Sequence, residues 1–287
     1  MKIRNLLILI MVAFSNNVFA QNNINLMPFP QNVIKNEGQL IVSSNWNMYY
    51  KGEYRLMIQE AMGRFVNRFK NASSKKLQII DKAENINIQI NKITINDLGI
   101  DNKEGYKLNI DSSIIINAAT DEGILYALES LNQLLSVYKE GVGFPKVSIQ
   151  DYPTYAWRGM MVDVARHFIP MDMMKRNVDA MAAVKLNTLH IHISDDEGFR
   201  IESKKYPQLH LKGSNGEFYT QAEMIDFVKY CKLRGIGVYA EFDLPGHSQS
   251  WFAGYPELAA EKKSYTPGPR FKIDGDKPAN LMSLVQM

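Results

Sequence analysis

Apolar residues recur at the spacing of an amphipathic helix in two stretches of the first half of the chain. This three- or four-residue spacing predicts helices over 58–69 and 124–135. Alternating or β-rich runs between turn residues predict strands at 86–90, 106–110 and 114–116. We therefore expect residues 21–150 to form an α+β domain, in which two helices pack on a small sheet.

The pattern changes after residue 151 to strand, helix, strand, helix, strand. Short apolar runs predict strands at 159–165, 188–194 and 237–242. Thr220 and Glu223 have the spacing of a capping box, and they open a helix whose apolar positions are Met224, Phe227, Val228 and Cys231. Successive βα units wind around a parallel sheet, so the segment 151–287 is predicted to be an α/β domain.

Composition supports a folded protein with more than one domain. The chain has 287 residues, of which 46% are apolar and 22% charged, and it contains a single cysteine. That length suits two domains, and the composition argues against a disordered or disulfide-rich chain. The formal net charge of +3 gives no indication of a nucleic-acid partner or of binding to an anionic membrane.

Residues 1–20 have the pattern of a secretory signal peptide. Lys2 and Arg4 precede an apolar run over 6–14, and Val18-Phe19-Ala20 supplies a small residue at the expected cleavage point. The apolar run is about half the length that a membrane span requires, so no membrane anchor is predicted. We expect export to the periplasm or the cell exterior. Cys231 has no partner cysteine and is expected to be a small buried hydrophobe.

Each predicted strand of the second domain ends in a group of polar residues. These groups are Arg166-His167, Asp195-Asp196-Glu197, and Asp243 with Pro245-Gly246-His247. In a (β/α) barrel, the C-terminal ends of the strands surround the active site. Three such groups at equivalent places predict a single functional site.

Of these groups, the side chains best suited to substrate binding and acid–base catalysis are Arg166, Asp195 and His247. A guanidinium offers a rigid fork of donors for vicinal hydroxyls or a carboxylate. An aspartate bonded to an imidazole fixes its tautomer, and the imidazole can then tune a neighbouring acid. Asp195 and His247 are candidates for such a pair, while the structural alternative is that His247 caps the turn at Pro245-Gly246.

Four motifs follow one another between residues 151 and about 260, namely Tyr155–Gly159, Asp163–Phe168, His190–Arg200 and Glu241–His247. In order and spacing they resemble the β-N-acetylhexosaminidases of glycoside hydrolase family 20. The preceding segment, with Glu104-Gly105-Tyr106 and Gly123–Leu135, resembles that family's N-terminal domain. The resemblance covers nearly all of the chain after residue 20. It implies that residues 151–287 are the first strands of an incomplete TIM-type (β/α)8 barrel.

The function implied by this resemblance is that of a retaining exo-glycosidase. Such an enzyme removes terminal N-acetylglucosamine or N-acetylgalactosamine from the non-reducing ends of glycans. The acetamido oxygen of the substrate replaces a protein nucleophile in this family, so no cofactor is implied. By similarity, Arg166 holds the C3 and C4 hydroxyls of the sugar, Asp195 and His247 form a relay to the general acid, and Asp243 contributes to substrate binding.

The chain departs from the family pattern in one respect. The family's catalytic pair is an adjacent Asp-Glu on a later strand, whereas Asp196-Glu197 matches an earlier motif and is not expected to be the acid. Three of the eight strands of a closed barrel precede Met287. We therefore expect this polypeptide to be the N-terminal part of such an enzyme and to be inactive alone.

Two other classes of function were weighed against this one. His190 and His192 form an H-x-H pair of the kind that metal-dependent amidohydrolases place in a barrel. Strand alternation predicts that both histidines lie on the face opposite Asp195 unless a bulge intervenes, so a metal site is the less favoured alternative. The second alternative is a non-catalytic sugar-binding protein that uses Arg166 and Asp195.

Overall fold

The computed structural model describes residues 24–269, and the candidate signal peptide at 1–20 lies outside them. Two sheets are present within the described part of the chain. None of the helices in this part is both long and apolar enough to cross a membrane.

The first sheet is the centre of an α+β domain. Its path is β1-β8-β5-β6-β4-β2-β3, with β7 paired to β8. The strands are β1 (Asn32–Ile41), β2 (Trp46–Lys51), β3 (Leu77–Ile80), β4 (Ile88–Lys92), β5 (Tyr106–Ile110), β6 (Ile114–Ala118), β7 (Ser136–Tyr138) and β8 (Gly141–Asp151). The helices are α1 (Leu56–Ser73), α2 (Ile95–Leu98) and α3 (Asp121–Leu134).

The predicted helices of this domain are confirmed, and they share one apolar core with the sheet. Phe65 and Phe69 of α1 and Leu131 of α3 are fully buried in it, together with Ile90 and Ile116 of the sheet. The expected small sheet is wrong in size, because eight strands are present in the described residues. The long β1 is mostly exposed and its register against β8 shifts between Lys35 and Gln39, so it lacks the apolar alternation that identifies a strand.

The second sheet consists of three parallel strands and a short antiparallel one. Its order is β9-β10-β12, with β11 paired antiparallel to β10. The strands are β9 (Gly159–Asp163), β10 (Thr188–Asp195), β11 (Gly198–Phe199) and β12 (Gly237–Phe242). The helices are α4 (Met171–Ala183), α5 (Gln208–Gly213), α6 (Gln221–Lys232) and α7 (Gln249–Gly254), followed by a 3-10 turn (Pro256–Leu258).

One face of this sheet packs on helices α4 and α6. Ile191 and Ile193 of β10 are fully buried there against Val178, Phe227 and Cys231. The predicted capping box is present at the start of α6, where the Thr220 hydroxyl accepts from the Glu223 amide and Glu223 accepts from the Thr220 amide. Val228, which was expected to be apolar and inward, is instead 45% exposed because it lies beside the stripe that Met224, Phe227 and Cys231 define.

The other face of the sheet carries two rows of residues from the three parallel strands. Met161, His190 and Tyr239 are paired across β9, β10 and β12 in one row. Asp163, His192 and Glu241 are paired in the next row, nearer the C-terminal ends of the strands. Because paired residues point to the same side, each row brings its three side chains together.

Strand β10 is irregular between these rows and its end. His192 pairs with Glu241 and Ser194 pairs with Phe242, so β10 has one more residue than β12 at this point. An extra residue of this kind is a β-bulge, and it reverses the alternation of the side chains that follow. The predicted separation of His192 from Asp195 is therefore wrong, since the bulge at Ile193 returns Asp195 to the side of His192.

A buried polar group joins the two domains, and we call Tyr106, Ser130, Asp151 and Lys185 the junction cluster. The Lys185 ammonium lies 2.9 Å from both the Tyr106 hydroxyl and the Asp151 carboxylate. Tyr106 is also 2.6 Å from the Ser130 hydroxyl. Burial lowers the pKa of Lys185, and the nearby Asp151 opposes this shift. The cluster ties the turn after α4 to the sheet of the first domain.

Candidate active site

Arg166 is held by two carboxylates just after β9. Asp163 accepts hydrogen bonds from the backbone amides of Ala165 and Arg166, which turns the chain at the end of the strand. Its other carboxylate oxygen lies 2.6 Å from Arg166 Nη1. Arg166 Nη2 lies 2.7 Å from Asp195 Oδ2. The side chain of Arg166 remains 34% exposed, so part of its fork of donors faces solvent.

Asp195 is the centre of the site, and its buried carboxylate receives four donors. Oδ2 is 2.7 Å from Arg166 Nη2 and 2.8 Å from His192 Nε2. Oδ1 accepts from the Asp196 amide at 2.6 Å and from His247 Nδ1 at 3.0 Å. Burial acts to raise the pKa of Asp195, but the bonds from His192 and the Asp196 amide and the charge of Arg166 lower it below its usual value. We call Arg166, His192, Asp195 and His247 the strand-end cluster.

His247 reaches Asp195 from the loop that follows β12. The loop is closed by Ser248, whose hydroxyl donates to the Gly246 carbonyl at 2.8 Å. His247 has a φ of 55°, a left-handed conformation that is uncommon for residues other than glycine, asparagine and aspartate. Its Nδ1 faces Asp195, which leaves Nε2 free of any hydrogen bond to the described residues. The predicted contact between Asp195 and His247 is present, and His247 is not simply a cap on the turn.

Asp243 is the first residue after β12, at the start of the same loop, and it is half-buried beside Glu241. Burial and the neighbouring Glu241 carboxylate raise its pKa. The ion pairs of Arg166 in the described residues are with Asp163 and Asp195 and not with Asp243. The structure therefore places Asp243 at the strand ends without joining it directly to the strand-end cluster.

Asp196 and Glu197 differ from Asp195 in what they contact. Asp196 accepts from the backbone amide of Gln249 at 2.9 Å and so holds the start of α7. Burial raises the pKa of Glu197, with a smaller contribution from the charge of Asp195. Arg200 lies below both, nearly fully buried, and its guanidinium donates to the carbonyls of Ala165 and Ser214. Arg200 therefore supports the loop that carries Arg166.

Sequence reasoning missed His192 and Glu241 as members of the site. His192 Nε2 faces Asp195 at 2.8 Å, and its Nδ1 lies 3.1 Å from Glu241 Oε1. Glu241 also contacts His190 through its second oxygen. The spacing gave no signal for this, because alternation puts residues three apart in a strand on opposite faces, and only the bulge brings His192 to Asp195.

Two sets of donor atoms in the described residues are close enough to be compared with a metal site. They are His192 with Asp195 and Asp243, and Asp195 with Asp196 and His247. Both include Asp195, whose oxygens already accept four hydrogen bonds. Both nitrogens of His192 face carboxylates, so it presents no lone pair to a cation. His190 is likewise engaged by Glu241. This arrangement does not fit the H-x-H metal site of the amidohydrolase alternative.

Comparison with known proteins places both domains in one family. Residues 155–282 match the description "Glycosyl hydrolase family 20, catalytic domain". Residues 23–152 match "Glycosyl hydrolase family 20, domain 2". The chain is 33% identical to beta-hexosaminidase subunit A2 of Dictyostelium discoideum over 272 residues, which is 89% of this chain and 48% of that protein.

Solved structures show the same fold. A chitobiase of Flavobacterium johnsoniae has a TM-score of 0.77 and 38% identity, and the match covers 86% of this chain and 39% of that one. A Streptomyces plicatus N-acetyl-beta-hexosaminidase, solved in complex with Thio-NAglucal, has a TM-score of 0.75 and 27% identity over 86% of this chain and 50% of its own. The chain spans about half the length of the curated relatives it matches. With both domains matched in order, the chain belongs to glycosyl hydrolase family 20.

Proposed function

We propose that the protein acts in the hydrolysis of terminal, non-reducing N-acetyl-D-hexosamine residues, with N-acetylglucosamine- and N-acetylgalactosamine-terminated glycans as substrates. The observation that carries the proposal is the Asp195 carboxylate, which holds both Arg166 and His247 at the C-terminal edge of the parallel strands. Relatives named beta-hexosaminidase support the substrate class. So does a Streptomyces plicatus relative solved with the product GlcNAc.

Arg166 and Asp243 are proposed to bind the terminal sugar. Asp163 and Asp195 each engage one terminal nitrogen of Arg166, and the side chain is one-third exposed, so its remaining three N–H groups are proposed as donors for the C3 and C4 hydroxyls. Asp243 offers a half-exposed carboxyl at the same edge. Neighbouring sugar hydroxyls suit these groups because each hydroxyl accepts one hydrogen bond and donates another.

Asp195 and His247 are proposed to act on the general acid. Asp195 accepts the Nδ1 proton of His247, so the imidazole presents Nε2 as an acceptor towards the open edge of the site. A carboxylic acid bonded to Nε2 is thereby oriented towards the glycosidic oxygen.

The proposed reaction retains the configuration at C1 through two displacements. The acetamido oxygen bonds to C1 while the glycosidic C1–O bond breaks, and the acid gives its proton to the departing oxygen. An oxazolinium ion remains. Water then attacks C1, which breaks the bond between C1 and the acetamido oxygen and opens the oxazolinium ring. The attacking water gives a proton to the carboxylate and so restores the acid. No cofactor takes part, because the substrate supplies the nucleophile.

The polypeptide of residues 1–287 is proposed to be inactive by itself. Its adjacent Asp-Glu pairs are Asp121-Glu122 and Asp196-Glu197. The first lies in α3 of the other domain, where Asp121 pairs with Lys92 at 2.5 Å. In the second, Asp196 holds the start of α7. Neither pair provides an acid bonded to His247. We also propose export, on the strength of the signal pattern in residues 1–20.

The test is hydrolysis of 4-nitrophenyl N-acetylglucosaminide and N-acetylgalactosaminide by the product of the native gene. Arg166→Ala is expected to lower kcat/KM by about 100-fold, as expected for loss of charge-assisted hydrogen bonds. Arg176→Ala is the matched control, because Arg176 is exposed on α4. Absence of hydrolysis, or equal effects of the two substitutions, contradicts the proposal.

A second measurement separates the enzyme from a sugar-binding protein. Calorimetry with N-acetylglucosamine on the polypeptide 1–287 is expected to show weak binding that Arg166→Ala removes, without turnover of either glycoside. Turnover by this polypeptide contradicts its proposed inactivity. Binding by the native gene product without any hydrolysis favours the sugar-binding alternative.

A further inference from the structure

His192 is enclosed between two carboxylates on the inner side of the parallel sheet. Its Nε2 lies 2.8 Å from Asp195 Oδ2, and its Nδ1 lies 3.1 Å from Glu241 Oε1. The side chain is 5% exposed, so the ring lies away from bulk solvent. Asp163 of β9 stands opposite Glu241 in the same row, with Arg166 beyond it.

This geometry determines the protonation state of the ring. An ionised carboxylate is only an acceptor, whereas a neutral imidazole has one donor and one acceptor nitrogen. A neutral His192 therefore sets a lone pair against one of the two carboxylates. An imidazolium donates to Asp195 through Nε2 and places a positively charged N–H, instead of a lone pair, 3.1 Å from the Glu241 carboxylate. In agreement with this, the hydrogen bond to Asp195 raises the pKa of His192 to about 9, although burial opposes the shift.

An imidazolium at this point has a specific consequence for Asp195. Oδ2 is occupied by Arg166 and His192, and Oδ1 receives the Asp196 amide, so the carboxylate cannot rotate without breaking several bonds. The remaining direction at Oδ1 is the one that faces His247 Nδ1. The charge of His192 also balances the second carboxylate, Glu241, that lies in the same row.

We propose that His192, as an imidazolium held between Glu241 and Asp195, is a positioning residue that fixes the Asp195 carboxylate for its bond to His247. The inference rests on the proposed function, and it adds Glu241 as the group that fixes His192 from the other side. His190 contacts Glu241 but not Asp195, and so lies one step further from the reacting atoms. His192 acts through Asp195 and His247 and is not itself assigned a contact with substrate.

The first test is nitrogen-15 NMR of histidine side chains in the polypeptide 1–287 at pH 7.5. The five histidines are few enough to assign by substitution. His210 is an internal reference, because its Nδ1 accepts from the Ser203 amide and is therefore unprotonated. His192 is expected to show two protonated ring nitrogens at this pH. A neutral His192 overturns the inference whatever the variants do.

The second test compares His192→Gln with His190→Gln by exchange of the His247 Nδ1 proton. Glutamine retains a donor but not the charge, and the His190 change leaves the contacts of Asp195 intact. Exchange of the His247 proton is expected to accelerate at least tenfold in His192→Gln and to change less than twofold in His190→Gln. Equal exchange in the two variants contradicts a positioning role.

Kinetics of the native gene product distinguish this inference from the proposed function. His192→Gln is expected to lower kcat at least tenfold while KM stays within twofold, because the sugar contacts of Arg166 remain. A general loss of structure changes both constants together. If neither glycoside is hydrolysed by the unsubstituted protein, the proposed function fails, and the NMR result still decides the state of His192. If hydrolysis occurs but kcat is unaffected by His192→Gln, only the positioning role fails.

Discussion

The junction cluster and the strand-end cluster are both buried groups of charged side chains, yet they differ in which atoms stay available. In the junction cluster, Lys185 and Asp151 have side chains that are 6% and 9% exposed, and they bind each other. In the strand-end cluster, Asp195 is 2% exposed, whereas Arg166 and His247 are each 34% exposed. The first cluster is closed and joins two domains. The second presents donors and an acceptor at the edge of the sheet.

The difference shows that burial of charge does not by itself identify a functional site. A buried ion pair removed from both sides is often replaceable by apolar residues, while removal of one partner leaves a costly unpaired charge. A site needs the same support beneath it but also polar atoms that face outwards. The two clusters are therefore expected to respond differently to loss of one cation.

The largest effect on stability is expected at the junction. Lys185→Met leaves Asp151 buried without its cation and is expected to lower the free energy of unfolding by about 3–5 kcal/mol. Urea unfolding of the polypeptide 1–287 measures the change. Lys204→Met, at an exposed position, is the matched control. The double variant Lys185→Met with Asp151→Asn is expected to recover part of the loss. A loss in Lys185→Met no larger than the control contradicts the closed-cluster interpretation.

The next effect is a dependence on pH that belongs to the strand-end cluster. The bond to Asp195 raises the pKa of His192 from 6.5 to about 9, so the folded state binds this proton more tightly than the unfolded state. The stabilisation is complete below pH 6.5 and is lost as pH rises through about 9. Between pH 6 and 8.5 the free energy of unfolding is expected to fall by an amount on the order of 2 kcal/mol.

Urea unfolding at several pH values measures this slope, and His192→Gln is expected to reduce it. The charged groups that face His192 are Asp195, Glu241, Asp163 and Asp243, with Arg166 beyond them. The upper limit of pH 8.5 avoids titration of the Cys231 thiol, since burial raises its pKa to about 12 in the folded protein while the unfolded thiol titrates near 9. An equal slope with and without the His192 ring assigns the dependence to other groups.

A smaller effect is expected at the capping box of α6, and it provides a scale for both clusters. Thr220→Ala removes the acceptor of the Glu223 amide and is expected to cost about 1 kcal/mol of stability. Thr220→Ser retains the hydroxyl and should restore most of that value. If Thr220→Ala lowers the free energy of unfolding as much as Lys185→Met does, the junction cluster contributes no more to stability than a surface hydrogen bond.

The smallest effect on stability is expected for Arg166→Ala, which is also the sharpest contrast with the junction. The guanidinium is one-third exposed, and Asp195 keeps His192 and the Asp196 amide, so the cost should stay below about 1 kcal/mol. Affinity for N-acetylglucosamine should nevertheless fall at least tenfold, as calorimetry can show. A large loss of stability with unchanged affinity would make Arg166 a structural residue like Lys185.

Much of this organisation follows from periodic patterns in the sequence. The helices α1, α3, α4 and α6 and the three parallel strands were predicted, because each buries a regular apolar stripe. Arg166, Asp195 and His247 were predicted to meet, since parallel strands place their C-terminal ends at one edge. The edge strand β1 was not predicted, because an exposed strand with a shifted register has no regular alternation.

The errors at the site have a single physical origin. Alternation assigns His192 and Asp195 to opposite faces, and only the bulge at Ile193 reverses this. Likewise, Lys185 follows α4 with a φ of 59° and turns into the junction cluster, a direction that the apolar pattern of the preceding helix does not indicate. Both features depend on local backbone geometry that arises from tertiary contacts rather than from the pattern of residues.

The extra residue in β10 lies in the apolar core and outside the pairing that aims the site. Exchange of Ile193 for another apolar residue preserves the count, and the neighbouring side chains keep their directions. Deletion of that residue would leave Ser194 opposite Phe242 and Asp195 on the side of His192, because residues two apart in a regular strand share a face. The loss would fall on the core against α4 and α6, where Ile193 is fully buried. An alignment that places a one-residue gap at this point can therefore still compare proteins that share the carboxylate site.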